Sequence, residues 1–138
     1  MIDIKAVSAQ IIEHAEQTYP DECCGALLGL EADGVKTVCE ILPITNAREQ
    51  AEQYHRFTIE PDDVMKAERT AMKKGLDVLG FYHSHPDHPA KPSDYDREHA
   101  LPVWSYPIVS VLSGKAAEIK CWLLSDDREI FNEEAITT

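Results

Sequence analysis

The stretch LDVLGFYHSHPDHPAKPSDYD, residues 76–96, constrains the fold of this chain more than any other. It opens as an apolar run of strand length and then meets Pro86, Pro89 and Pro92 in quick succession. Proline lacks a backbone N–H and fixes φ, so HPDHPAKP, residues 85–92, is expected to be irregular. Ser93 then reads as a helix N-cap, with Asp94 and Asp96 in the first turn of a short helix, SDYDREHA. A strand therefore stops at the mouth of a sheet, and a stiff loop carries the chain straight to a helix.

The rest of the sequence supplies the partners for that strand. Residues 4–18 place Ile4, Val7, Ile11, Ile12 and Ala15 near helical spacing, and Tyr19-Pro20-Asp21 ends the helix. CCGALLGL reads as a buried strand that pairs with VKTVCEIL across the Ala32-Asp33-Gly34 turn. Residues 43–55 read as a long polar loop and RFTIE as a short strand. Pro61-Asp62-Asp63 opens a second helix that stops at Gly75. YPIVSVLS, AEIKCWLLS and EIFNEEAI complete the strands, with Gly114 turning the first into the second. The fold class is α+β: a mixed, largely antiparallel sheet flanked by helices, in one domain spanning residues 1–138.

Composition narrows the function classes. Lys and Arg number 13 against 25 Asp and Glu, a formal net charge of −12. Such a chain is repelled by a phosphate backbone and an anionic bilayer, so neither nucleic acid nor membrane is an expected partner. Cys23, Cys24, Cys39 and Cys121 form no C-x-x-C, and are expected as reduced thiols in a cytoplasmic protein. Cys23 and Cys24, adjacent on a strand, point to opposite faces. MIDIKAVSAQ lacks the layout of a signal peptide, and no apolar stretch is long enough to span a bilayer.

His83 and His85 stand at i, i+2, so on a strand they face the same way and their imidazoles can converge on one ion. Asp96, one turn into the next helix, supplies a third ligand. Two imidazoles and a carboxylate suit Zn²⁺ and leave a fourth position for water, the arrangement of a catalytic site. His88, Asp87 and Asp94 are rivals in the same loop and first turn; His14, His55 and His99 have no ligand-like spacing and read as surface or core-edge residues. A hydrolytic site also needs a proton carrier. Glu22, at the edge of an apolar strand, is a candidate whose burial would raise its pKa, but spacing alone does not select it over Glu31 or Glu40. Ser93 has two readings, a helix cap that needs no function or an added donor to a tetrahedral oxyanion; one hydroxyl can be acceptor and donor together.

The run His83-Ser84-His85-Pro86, followed by Ser93 and Asp96, resembles the JAMM motif, H-[ST]-H-P-x(6)-S-x-x-D, of the MPN+ metallopeptidases (the Mov34/MPN/PAD-1 family). PDECCGALLG is similar to the glutamate-bearing first strand of that family, with Glu22 in the glutamate position. The context looks most like the short bacterial members. This resemblance implies zinc as cofactor, His83, His85 and Asp96 as its ligands, Glu22 as general acid/base and Ser93 as support for the oxyanion or the water. It implies an MPN core with a curved sheet, similar to cytidine deaminases. It also implies hydrolysis of an amide or isopeptide bond at the C-terminal tail of a ubiquitin-like or sulfur-carrier protein, with a homodimer as one open assembly. Two other classes remain: a non-catalytic MPN scaffold that binds a ubiquitin-like protein, and a zinc deaminase, whose H-x-E and P-C-x-x-C signatures are absent.

Overall fold

The computed structural model describes residues 1–45 and 59–138. Among these residues, eight strands form one sheet: β1 (Ile2–Asp3), β2 (Cys24–Ala32), β3 (Val35–Ile44), β4 (Asp77–Pro86), β5 (Ser105–Leu112), β6 (Lys115–Leu124), β7 (Phe131–Glu134) and β8 (Ile136–Thr137). The described residues also form three helices that pack on it: α1 (Ser8–Thr18), α2 (Pro61–Lys73) and α3 (Asp94–His99). The strand order is β7-β6-β5-β4-β2-β3-β1-β8. The β4–β5, β1–β3 and β1–β8 pairs are parallel and the others antiparallel, the mixed sheet the sequence predicts. β7 and β8 sit at opposite ends of that order yet are joined through Ala135 alone. The two edges must therefore come close together, and the sheet is curved almost into a barrel.

Both tight hairpins follow from their turn residues. Asp33-Gly34 and Ser113-Gly114 all have positive φ, as the favoured two-residue hairpin turn requires. Helix α2 begins with Pro61 and is capped reciprocally, the Glu60 N–H donating to Asp63 Oδ2 at 2.9 Å. The sheet separates two apolar clusters. Ile4, Val7 and Ile11 lie with Tyr82, Val109 and Cys121 on one face. Ala67 and Ala71 of α2 lie with Cys24, Phe81 and Tyr106 on the other. Cys23 belongs to the first cluster and Cys24 to the second, as strand alternation requires.

A bulge sets the phase of β4. Leu27 pairs with Gly80 and Leu28 with Val78, so Leu79 is an extra residue. From there on the strand is rephased: Leu79 and Tyr82 face the α1 cluster, whereas Val78 and Phe81 face the α2 cluster. Gly80 is held because a Cβ there would run into the Ser105 carbonyl of the neighbouring strand.

Three expectations change, and a fourth falls largely outside the described residues. The first helix starts at Ser8, and residues 5–7 form a turn, with Ile4 and Val7 buried beneath it. Strand β4 runs through Pro86, with His85 and Pro86 in register with Ser110 and Val111 of β5, so irregular backbone begins only at Asp87. A terminal strand residue tolerates proline because the lost N–H falls where pairing ends. Residues 43–44, expected in a loop, extend β3, while residues 46–55, His55 among them, lie outside the described residues. RFTIE falls largely outside them too, and its last residue, Glu60, caps α2. Among the described residues, no helix is long and apolar enough to cross a membrane.

Candidate metal centre

Three elements deliver the polar cluster. The bulge rephases β4 so that His83 pairs with Ile108 and His85 with Ser110 on the α2 face of the sheet. The loop then returns the chain to α3, whose N-cap Ser93 and third residue Asp96 form a capping box. Asp96 N–H donates to Ser93 Oγ at 3.1 Å, and Ser93 N–H donates to Asp96 Oδ2 at 2.9 Å. The helix cap thus aims the Asp96 carboxylate at the strand.

His83 Nε2 and His85 Nε2 lie 3.1 Å apart. Asp96 Oδ2 is 3.2 Å from His85 Nε2, and Oδ1 is 3.3 Å from His83 Nε2. All three residues are buried, His83 at 2% exposure. Burial pushes the His83 pKa down, only partly opposed by Asp96, which favours the neutral imidazole. Burial alone would raise the Asp96 carboxyl, but His83, His85 and the Ser93 N–H together hold it well below the usual carboxylate range. Neutral imidazole and ionised carboxylate are the protonation states that ligate a cation. Two nitrogen donors and one oxygen donor within 4.8 Å of one another could hold a metal ion. This donor set fits zinc and leaves a coordination position open.

His85 Nδ1 lies 2.9 Å from the Pro89 carbonyl oxygen. A carbonyl only accepts, so Nδ1 carries the proton and the Nε2 lone pair faces the cluster.

Glu22 reaches the site along the β2–β4 ladder. Cys24 pairs with His83, and the ladder continues one residue further through Ser84 N–H to the Cys23 carbonyl at 3.1 Å. The Ser84 hydroxyl accepts from Cys23 N–H at 2.9 Å. Glu22 is the next residue back along the chain, is buried, and lines one cleft of about 730 Å³ with His85, Ser93 and Asp96. The rival acids lie elsewhere: Glu31 is exposed, and Glu40 pairs with Lys74 at 2.7 Å. A second, apolar cavity of about 250 Å³ lies against His83 and Asp96 and is walled by Phe81, Leu101, Trp104 and Phe131.

The other rivals take separate roles. Asp87 is exposed with positive φ and ties the loop down, accepting from Tyr19 Oη at 2.7 Å and Ser113 N–H at 2.8 Å. Asp94 and His88 are exposed on the rim of the cleft. His14 bonds the Tyr82 hydroxyl at 2.7 Å, and His99 stacks on Tyr95. Sequence reasoning missed the Pro89 carbonyl, a backbone contact that leaves no residue-type signal, and gave Ser84 of the motif no contact of its own.

With that geometry in view, the model of the prokaryotic homologs of the JAB domain matches residues 5–125. The chain belongs to that family. Two relatives of this JAMM/MPN type are desampylases. The one from Haloferax volcanii is 34% identical over 105 residues, 72% of this chain and 73% of the relative. The one from Pyrococcus furiosus is 29% identical over 109 residues, 79% and 71% of the two chains. Among solved structures, a Desulfitobacterium hafniense protein superposes with a TM-score of 0.83 at 32% identity, covering 99% of this chain and 91% of that one. A Salinibacter ruber protein gives 0.77 at 40% identity, covering 99% and 90%. A JAB1/MPN domain protein from Archaeoglobus fulgidus shares the fold, with a TM-score of 0.56 at 20% identity over 99% of this chain and 92% of that one.

Proposed function

We propose that residues 1–138 form one zinc-dependent peptidase domain that hydrolyses an amide or isopeptide bond at the C-terminal tail of a ubiquitin-like or sulfur-carrier protein. The observation that carries this reading is the convergence of His83 Nε2, His85 Nε2 and the Asp96 carboxylate, with His85 and Asp96 lining a cleft that Glu22 also lines. Membership of the JAB family and the two relatives named desampylase support it.

His83, His85 and Asp96 would hold the metal. Zinc supplies Lewis-acid chemistry when bound, polarising the scissile carbonyl and acidifying water. The Glu22 carboxylate accepts the proton of the attacking water and returns it to the departing amine, so one group serves as base and then acid. Ser93 Oγ spends an acceptor lone pair on Asp96 N–H, which leaves its own proton to donate to the developing oxyanion.

The test pairs metal content with turnover. The wild type is expected to carry about one zinc per chain by elemental analysis, and His85→Ala to lose it. Glu22→Gln is expected to keep the zinc and lose about 100- to 10,000-fold in cleavage of a carrier-protein conjugate. Full activity in Glu22→Gln would remove Glu22 from its role. Conjugate binding without cleavage by the zinc-loaded wild type would establish a scaffold in place of an enzyme.

A further inference from the structure

The loop after His85 is fastened at three successive carbonyls. Ser110 Oγ donates to the His88 carbonyl at 2.6 Å. His85 Nδ1–H donates to the Pro89 carbonyl at 2.9 Å. Trp122 Nε1–H donates to the Ala90 carbonyl at 3.0 Å. The peptide plane that carries the Pro89 carbonyl is also held at its other end, where Ala90 N–H reaches Glu118 Oε1 at 3.4 Å. Ser110 lies beside His85 in the β4–β5 register, and Glu118 lies beside Ser110 in the β5–β6 register. Donors on β5 and β6 thus grip the carbonyl on either side of the one His85 uses, in a loop whose φ is already fixed at Pro89.

We propose that Ser110 and Trp122 are positioning residues for His85. They immobilise the peptides around Pro89 so that its carbonyl accepts from Nδ1–H, which fixes the ring tautomer and aims the Nε2 lone pair at His83 and Asp96. The inference rests on the metal-site reading above. Ser110 is buried at 1% exposure, and its hydroxyl spends its only proton on this loop. Neither residue belongs to the histidine-aspartate cluster, and both act through backbone alone. Partners that orient a ligating imidazole typically change metal affinity by about 10- to 100-fold.

The experiment is a zinc titration of the full chain against a chromophoric chelator, with the Co²⁺-substituted absorption spectrum as a second readout. Ser110→Ala and Trp122→Phe are each expected to weaken zinc about 10-fold and to shift the Co²⁺ bands, with the melting temperature of the zinc-free protein held. Tyr19→Phe is the control. It removes a hydrogen bond to Asp87 in the same loop but none at the three carbonyls, and is expected to leave affinity unchanged. Should Trp122→Phe fail to fold, Ser110→Ala decides alone. Wild-type affinity in the folded variants overturns the inference, as does an equal loss in Tyr19→Phe, which would point to loop stiffness in general. A wild type that binds no zinc overturns the site reading itself and this inference with it.

Discussion

At the scale of single residues, burial separates chemically identical groups. Cys23 and Cys24 are packed on opposite faces of the sheet, Cys121 is buried, and Cys39 alone among the four is exposed. Burial pushes the Cys23 thiol up to about 11, so little thiolate exists there at neutral pH. Cys39 is the extra residue of a bulge, since Leu28 pairs with Glu40 and Gly29 with Val38. A disulfide reagent at neutral pH is therefore expected to label Cys39 rapidly in the native protein and all four cysteines in denaturant. Rapid native labelling of a second thiol would contradict this packing.

At the scale of elements, α3 is short and its cap carries two tasks. The Ser93–Asp96 capping box satisfies helix N–H groups and also holds the Asp96 carboxylate in the cluster. Ser93→Ala removes one of the two reciprocal bonds and is expected to cost about 1 kcal/mol by chemical denaturation. Ser93→Asn restores an acceptor at the cap and is expected to recover most of that stability. A loss common to Ala and Asn would show that the hydroxyl does something other than cap. Much of this element is legible in the sequence, because a capping box is local and its spacing is fixed by the helix. The rephasing of β4 at Leu79 is not legible, since a bulge depends on the strand opposite.

At the scale of the whole molecule, a largely buried charge pair joins β7, at one edge of the sheet order, to β3, the third strand from the other end. Glu134 on β7 is 5% exposed. It accepts from Lys36 Nζ of β3 at 3.2 Å and from Ser105 Oγ of β5 at 2.7 Å, with the Met1 amino group at 3.4 Å. Burial alone would raise its carboxyl, but Ser105, Lys36 and Cys121 together hold it below the ordinary value of 4.5. Glu134→Gln leaves Lys36 without its counter-charge in a largely buried setting and is expected to cost about 3 kcal/mol at neutral pH. A depressed folded pKa gives stability that is complete above the ordinary value and lost as pH falls through the folded one. The gap between wild type and Glu134→Gln in denaturant titrations should therefore hold from pH 7 to about 5 and shrink at more acid pH. A gap that widens with acid would reverse the sign and exclude this account.

The sequence by itself determined the local features. Helix caps, two-residue turns and the i, i+2 histidine pair all depend on neighbours in the chain, so residue type and spacing reveal them. It also carried the JAMM pattern, including Glu22, which local chemistry could not rank above Glu31 and Glu40. Only the tertiary structure showed where these acids lie: Glu22 lines the cleft with His85, Glu31 is exposed, and Glu40 pairs with Lys74. It likewise decided that β4 runs on through Pro86, that two-residue strands link the margins of the sheet, and that the Pro89 carbonyl orients His85. Each depends on groups far apart in sequence meeting through backbone atoms, which every residue type carries alike.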